Sequence, residues 1–476
     1  MAAIILEKFR THAAEQFIED FSDDTEGATY MFIGRSHAWT DDTSPDLPAN
    51  SVNQEVDAFN HMIAAKKVAS GDVSHGLTRY DWASGTTYDE YAHDISSSNP
   101  SSATSATNIY DSRFYVMTDD YNVYKCIRSG RNSSNAVVAS TVKPSGTDPS
   151  VLVTTSDTNA DNGGYIWKYM YSVSAAETIK FVTSEFIPVK TIGAQTALGG
   201  VQDDNSAQWD VENEATDGQI LNIRVDNQGS GYTDGTTAVT INGDGSGATA
   251  NAHISGGKVT HFTITDDGSG YKNATVDLSG LAGGSNASAT VIISPKYGHG
   301  ANPVEELGGN YVIVNSRLEF AEGSGDFPTD NDFRQIGLLQ SPFSTGTTYA
   351  VDANYSVLNK MTLSSVSGLS VDDLIIDAAT ESSTSAKGRI VSISGTDVYY
   401  QPVANTGGEY PATFAVADTI YRIGESSNTN VGTVSAVDSS YPELVRYSGD
   451  ILYVENRGAV TRAADQIEDI KLIVQM

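Results

Sequence analysis

Histidines, thiols and clustered carboxylates are the side chains best able to hold metals or move protons. In this chain they are scattered. Of the eight histidines, His253 and His261 come closest to a pair, with Gly256-Gly257 between them predicting a hairpin turn. Ser255 then opposes Lys258 and His253 opposes Thr260, a register that puts the two imidazoles on opposite faces. His299 stands between Gly298 and Gly300, which permit close backbone approach, but no second ligand is near it in sequence and it reads as loop polarity. Asp157, Asn159 and Asp161 begin like a calcium loop, yet Asn162 occupies the place that demands Gly and Lys168 the place that demands Glu. Gly243-Asp244-Gly245-Ser246-Gly247 has the composition of one calcium β-roll turn without the tandem nonapeptides, so a hairpin turn is expected. Glu305 and Glu306 are adjacent, and adjacent side chains diverge, unlike the facing acids of a glycosidase.

Catalytic signatures are missing too. Gly257-Lys258 is followed by Val259, which excludes a phosphate loop, and no G-x-S-x-G elbow occurs. The GSGY tetrads lie between strands rather than ahead of a helix. Cys126, the single cysteine, sits inside the strand-like FYVMTDDYNVYKCI and reads as a buried small hydrophobe; no intrachain disulfide can form. The sequence therefore predicts no catalytic, cofactor-binding or metal-binding residues, and no cofactor. Tyrosines and tryptophans suited to a sugar groove alternate along strands, where packing explains them.

The elements that would carry these residues are strands. The chain has 476 residues, 43 of them Gly, and is 39% hydrophobic, enough for a sizeable interior and two to four domains. Asp and Glu number 60 against 28 Lys and Arg, a formal charge of −32 that repels phosphate backbones and anionic lipid. No nucleic-acid or membrane partner is expected. The start of the sequence, MAAIILEKFRTHAAEQF, lacks the apolar core of an export signal, and synthesis in a cytoplasm is expected.

The stretch DNGGYIWKYMYSVSAAETIKFVTSEFIPVK, residues 161–190, organises the rest. Tyr165, Trp167, Tyr169 and Tyr171 alternate, and Ile166, Met170 and Val173 supply the other face around Lys168. A strand apolar on both faces belongs in the middle, covered on both sides. Before it come an amphipathic helix over 7–21, with Phe9, Ala13 and Phe17 on one face, and a strand over 28–33. A helix then begins at Ser51, whose pairing with Gln54 is a capping-box pattern, and is stopped only by Gly71. A hairpin spans 114–127 and residues 132–162 read as an extended surface connection. From about 200 the composition changes: ILNIRVDNQGSGY and VTHFTITDDGSGY repeat 39 residues apart, an inserted β module. Core character returns at 296–343 with strands near 311–314 and 333–339. Six short β runs between 345 and 440 predict a second insertion, a small barrel or sandwich. Strands at 451–454 and 470–474 close the chain, with a polar turn or short helix at 462–469.

Taken in order, FYVMTDDYNVYKCI, STVKPSGTDPS, GGYIWKYMYSVSAAETIKFVTSEFIPVK, GHGANPVEELGG, DNDFRQIGLL and SGDILYVENRGAVTRAADQIEDIK resemble the gene-eight baseplate wedge subunits of T-even-type contractile-tailed phages, particularly their cyanophage versions. The resemblance covers about 1–195, 296–343 and 441–476. It implies a mainly β, layered β-sandwich core with a few short helices in loops. Residues 196–295 and 344–440 depart from it as two inserted small β domains. It also implies a structural virion protein of the tail baseplate, without enzyme activity, assembling as a homodimer beside other wedge subunits. A tail-associated carbohydrate-binding or depolymerase protein is the competing expectation, which would need clustered carboxylates and exposed aromatics in one groove.

Overall fold

The computed structural model describes residues 4–22, 27–319, 327, 329–408, 410, 414–463 and 465–476. The protein is mainly β, with five short α-helices among the described residues. It divides into two compact units: residues 1–15, 74–313 and 473–476 form the first, and residues 16–73 and 314–472 the second.

In the first unit the strand Tyr165–Ser172 is interior, as its two apolar faces require. The antiparallel order is Tyr115–Met117, Asn122–Arg128, Tyr165–Ser172, Val153–Thr155. Tyr165, Trp167 and Tyr169 pack with Tyr88, Tyr124 and Cys126. Trp167 is fully buried, with Tyr165 stacked on it at 5.4 Å and Tyr88 edge-on at 5.6 Å. Such aromatic pairs add about 0.5–1.5 kcal/mol each beyond the area they bury. Tyr171 leaves this series and joins Met170 and Val173 in a cluster with Phe114 and Ile187. A register shift explains it: Tyr124 opposes Tyr169 and Val123 opposes Tyr171, so Met170 is an extra residue that turns the strand end over.

Two expectations about this unit need correcting. Residues 196–295 do not all lie outside the core, because Val211 of the helix Ala207–Glu214 is buried in the Trp167 cluster. A strand apolar on both faces needs that cover, and Ser206 caps the helix by accepting from Trp209 N at 3.1 Å. Residues 132–162 are not merely a surface connection either. Val153–Thr155 pairs with the central strand, and Ser140, Thr155, Asp157 and Asn162 are buried. The N-terminal helix spans Glu7–Glu19, but Thr11 and Ala14 are its buried residues while Phe9 is 64% exposed.

The two GSGY repeats are interlocked. Asn222–Ser230 of the first pairs with Ser285–Ile292 of the second, and Lys258–Asp266 of the second pairs with Thr249–Ser255 of the first. The tetrad tyrosines cross as well. Tyr232 receives a hydrogen bond from Ala287 N at 3.2 Å, and Tyr271 one from Ala248 N at 3.4 Å. Each ring lies where only glycine fits: a Cβ at Gly284 would stand 2.3 Å from Tyr232, and one at Gly245 2.5 Å from Tyr271. Both tyrosines belong to one apolar cluster built from both copies.

The second unit contains a five-stranded antiparallel sheet in the order Asn354–Ser356, Met62–Lys67, Thr29–Gly34, Asn331–Gln340, Asp450–Arg462. The helix expected from Ser51 to Gly71 is half that length. Ser51 does cap it, accepting from Gln54 N at 3.3 Å, but it ends at His61 and Met62–Lys67 is a strand. Met62 to Ala65 are all buried beside Thr29–Gly34, and ladder pairing there outweighs the modest helix preference of alanine and lysine. The six β runs form a closed barrel, Asn359–Leu363, Asp397–Pro402, Lys387–Ser394, Leu374–Ile376, Thr419–Arg422 and Thr429–Val437. Met361, Ile390, Val398, Phe414 and Ile420 fill it. At the end of the chain Asp450–Arg462 and Ile467–Gln475 are longer than expected; the turn or helix expected at 462–469 includes residue 464, which lies outside the described residues.

Candidate functional site

The residues singled out for chemistry are mostly kept apart. His253 and His261 do come together, against the expected register: their rings stack at 4.3 Å, nearly parallel. Ser255 opposes Lys258 and Ile254 opposes Val259, but then Thr260 is bulged out and His261 faces His253. One extra residue moves a side chain to the other face. Burial and Arg128 push the His261 pKa down to about 3, and His253 is also lowered. His253 Nε2 lies 2.8 Å from Thr263 Oγ1. No group of three or more His, Cys, Asp or Glu residues with metal-site geometry occurs among the described residues.

Asp157, the first residue of the calcium-loop pattern, is committed to backbone amides. It is buried and accepts from Thr141 N at 2.6 Å, Val142 N at 3.0 Å and Tyr165 N at 3.2 Å. Asp244 likewise accepts from Lys272 N at 2.8 Å and Asn273 N at 3.0 Å, which lowers its pKa to about 2. Buried Glu212 receives the amides of Ile192, Gly193 and Ala194 at 2.8–3.2 Å. Buried Asp89 receives those of Ala103, Thr104 and Arg113. These carboxylates clamp loops to the fold, where unpaired amides would otherwise be costly.

The densest chemistry lies around His299, which is buried rather than a loop ornament. Asn302 caps the short helix Pro303–Leu307 by accepting from Glu305 N at 3.2 Å, Pro303 opens it, and Gly308 closes it in the left-handed conformation. The adjacent acids diverge, as expected of neighbours in sequence. Glu305 turns to Lys8, while Glu306 turns inward to Lys125. Lys125 comes from Asn122–Arg128, is fully buried, donates to Glu306, and lies 2.8 Å from His299 Nδ1. Its ammonium also sits 3.6 Å from the centre of the Tyr91 ring. Glu306 takes a further bond from Gly300 N at 2.7 Å.

Lys168 stands directly opposite Lys125 in the ladder and is also buried, donating to Pro149 O at 3.3 Å. Gly300, at φ +93°, lets the chain pass it: a Cβ there would meet Val211 at 2.5 Å and Lys168 Cε at 3.2 Å. Burial pushes the Lys125 pKa down to about 8 against the pull of Glu306, and lowers Lys168. Burial and the nearby Lys125 drive His299 down to about 3. Glu306 is held near 2: burial raises it, and the Lys125 ammonium more than offsets that. At neutral pH the cluster is thus an ammonium–carboxylate pair with a neutral imidazole accepting at Nδ1. Enclosed on all sides, Lys125 has no approach for a substrate carbonyl. The cluster fastens a strand to a helix.

Sequence reasoning passed over this cluster, although Lys125 and Lys168 each interrupt an apolar strand and so demanded buried partners. A smaller cluster occupies the second unit: His37 and His61 rings lie 4.8 Å apart, His61 Nδ1 is 3.0 Å from Asp57, and Arg35 stacks on Trp39. The His37 pKa falls to about 3 through burial and Arg35.

None of the curated protein sequences compared with the chain matches it. A protein-family profile, Phage-Gp8 (Bacteriophage T4, Gp8), matches residues 3–221. That segment contains the interior strand, the hairpin carrying Lys125, and the helix that covers Trp167. Residues 3–221, a little under half of the chain, are thus similar to the bacteriophage T4 Gp8 family.

Proposed function

We propose that the protein is a wedge subunit of a contractile tail baseplate, working by protein–protein assembly rather than by catalysis. The family match over residues 3–221 supports this reading most directly. The chemistry agrees with it: the buried carboxylates Asp89, Asp157, Glu212 and Glu306 are occupied by the protein's own amides and ammonium groups. In this reading residues 196–295 and 344–440, apart from the helix Ala207–Glu214 that covers Trp167, are additions to a discontinuous core made of 1–195, 296–343 and 441–476. The strands of the first addition begin at Asn222, directly after the family match ends. The core associates as a homodimer beside other wedge subunits, in the virion tail, after synthesis in the host cytoplasm.

Cryo-electron microscopy of intact tails tests the reading. Density for this chain is expected in the baseplate, in two copies per wedge. Absence of the chain from purified virions by mass spectrometry would sink the proposal. Light scattering of the purified protein at micromolar concentration should give twice the chain mass, and a monomer would remove the homodimer alone.

A further inference from the structure

The buried cluster of the first unit brings together the groups that amide formation needs. Lys125 supplies an amine and Glu306 a carboxyl in direct contact with it. His299 Nδ1 lies 2.8 Å from the Lys125 nitrogen and 3.6 Å from Glu306 Oε1. We propose that Lys125 Nζ and Glu306 Cδ condense into an isopeptide bond, once per molecule and with release of one water. The bond ties the strand Asn122–Arg128 covalently to the helix Pro303–Leu307, across 181 residues of chain that include the whole repeat module.

Enclosure is the first argument. The side chains of Lys125 and Glu306 are 0% and 2% exposed. Charges taken out of water gain by neutralising each other, and a proton passing from Nζ to Oε1 leaves a free amine beside a carboxylic acid. Lys168, directly opposite Lys125 in the ladder, repels the ammonium and favours that transfer. Other lysine–carboxylate pairs, such as Lys387–Glu381 and Lys190–Glu177, stay partly open to water, which supports both charges. The buried pairs Arg131–Glu90 and Arg462–Glu468 use a guanidinium, which keeps its proton.

The surroundings serve each later step. The Nζ lone pair attacks Cδ, and the carbonyl pair moves onto Oε2, which Gly300 N already holds at 2.7 Å as an oxyanion donor. His299 Nδ1 takes a proton from the newly bonded nitrogen and passes it to Oε1. The Cδ–Oε1 bond then breaks, water leaves and the carbonyl reforms at Oε2. Atoms and charge balance: an ammonium and a carboxylate become an amide and water, and the imidazole ends as it began. Burial and the Lys125 charge keep that ring neutral beforehand, so it starts as an acceptor. Glu306 lines a cleft of about 280 Å³, which gives the water a way out.

Proximity supplies the driving force. Partners held in contact react at effective concentrations of about 10⁵–10⁸ M, which favours the amide where bulk water is excluded. No outside carbonyl competes, because Lys125 is enclosed.

Intact-mass spectrometry of the denatured full-length protein tests this. After storage in neutral buffer the parent should weigh one water less than its sequence, while Lys125→Arg and Glu306→Ala should show no loss. Trypsin should leave the parent uncut at Lys125, and the peptide containing it should be joined to the peptide containing Glu306. His299→Gln should close about 100-fold more slowly. A parent of full mass after prolonged storage, or a lost water without the joined peptide, would overturn the proposal. Closure of His299→Gln at the parent's rate would overturn the part given to the imidazole. Molecules isolated before closure carry the ion pair and titrate as such. None of these outcomes bears on whether the chain is found in virions.

Discussion

The interior of the first unit and the interior of the barrel are built on opposite plans. Around Tyr165–Ser172 the first unit buries Lys125, Lys168, Glu306, Glu90, Arg131 and Glu212 among its aromatics. The described residues of the barrel, 359–437, bury no charged side chain; their buried polar groups are Asn359, Ser385, Ser392, Gln401 and Asn405. The barrel closes on itself, so its strands satisfy one another and apolar contact finishes the work. The first unit joins short sheets and long loops, and needs polar side chains to reach amides that no ladder serves. Charges inside a protein are therefore better read as fasteners for irregular backbone than as stability in themselves.

That difference can be broken from either side. Lys125→Ala strands the Glu306 carboxylate and should cost about 3–5 kcal/mol in urea unfolding of the first unit. Replacing both partners by apolar residues of similar volume, Lys125→Met with Glu306→Leu, should cost far less if the pair is a fastener. Ile390→Ala empties part of the barrel and should cost about 2–5 kcal/mol, leaving the first unit's transition in place. Titration separates the two interiors without mutation. Glu306 has a folded pKa near 2 against an ordinary value of 4.5, so its contribution is complete above about pH 4.5 and is lost as pH falls toward 2. The first unit should therefore weaken in that window by thermal melting followed at Trp167. Glu306→Gln should flatten the slope, and barrel probes should move less.

Smaller effects sharpen the picture inside the repeat module. Gly284→Ala places a methyl 2.3 Å from the Tyr232 ring and should cost about 1–3 kcal/mol, with Gly245→Ala matching it across the pseudo-repeat. Unequal losses would show that the two copies are not equivalent. Arg224→Ala cuts the bond from the module to Asp94, a partly exposed pair at 2.8 Å, and should cost no more than about 1 kcal/mol.

The sequence shows its strands more clearly than its joints. All six barrel strands are visible as β runs between turn residues, because a period of two and Gly/Ser/Asp boundaries are local signals. The interior position of Tyr165–Ser172 follows from two apolar faces. Met62–Lys67 is hidden, since MIAAKK suits a helix until Thr29–Gly34 lies beside it. His261 is misplaced by a bulge at Thr260, and no residue type announces that extra position. The cluster around Glu306 draws on strand, loop and helix far apart in the chain, so no spacing could reveal it. Its trace was the lone lysine in each apolar strand.

The crossed tyrosines set an order of events during synthesis. Tyr232 leaves the ribosome 52 residues ahead of Gly284, the position that accommodates its ring. At ordinary elongation rates that gap lasts on the order of 3–10 s. Through it the first repeat has strands without their partners, and it is most open to pairing with a second nascent chain carrying the same tetrad. Slower translation between the two copies should therefore lower the yield of correctly closed molecules, whereas a gene that shortens the wait should raise it.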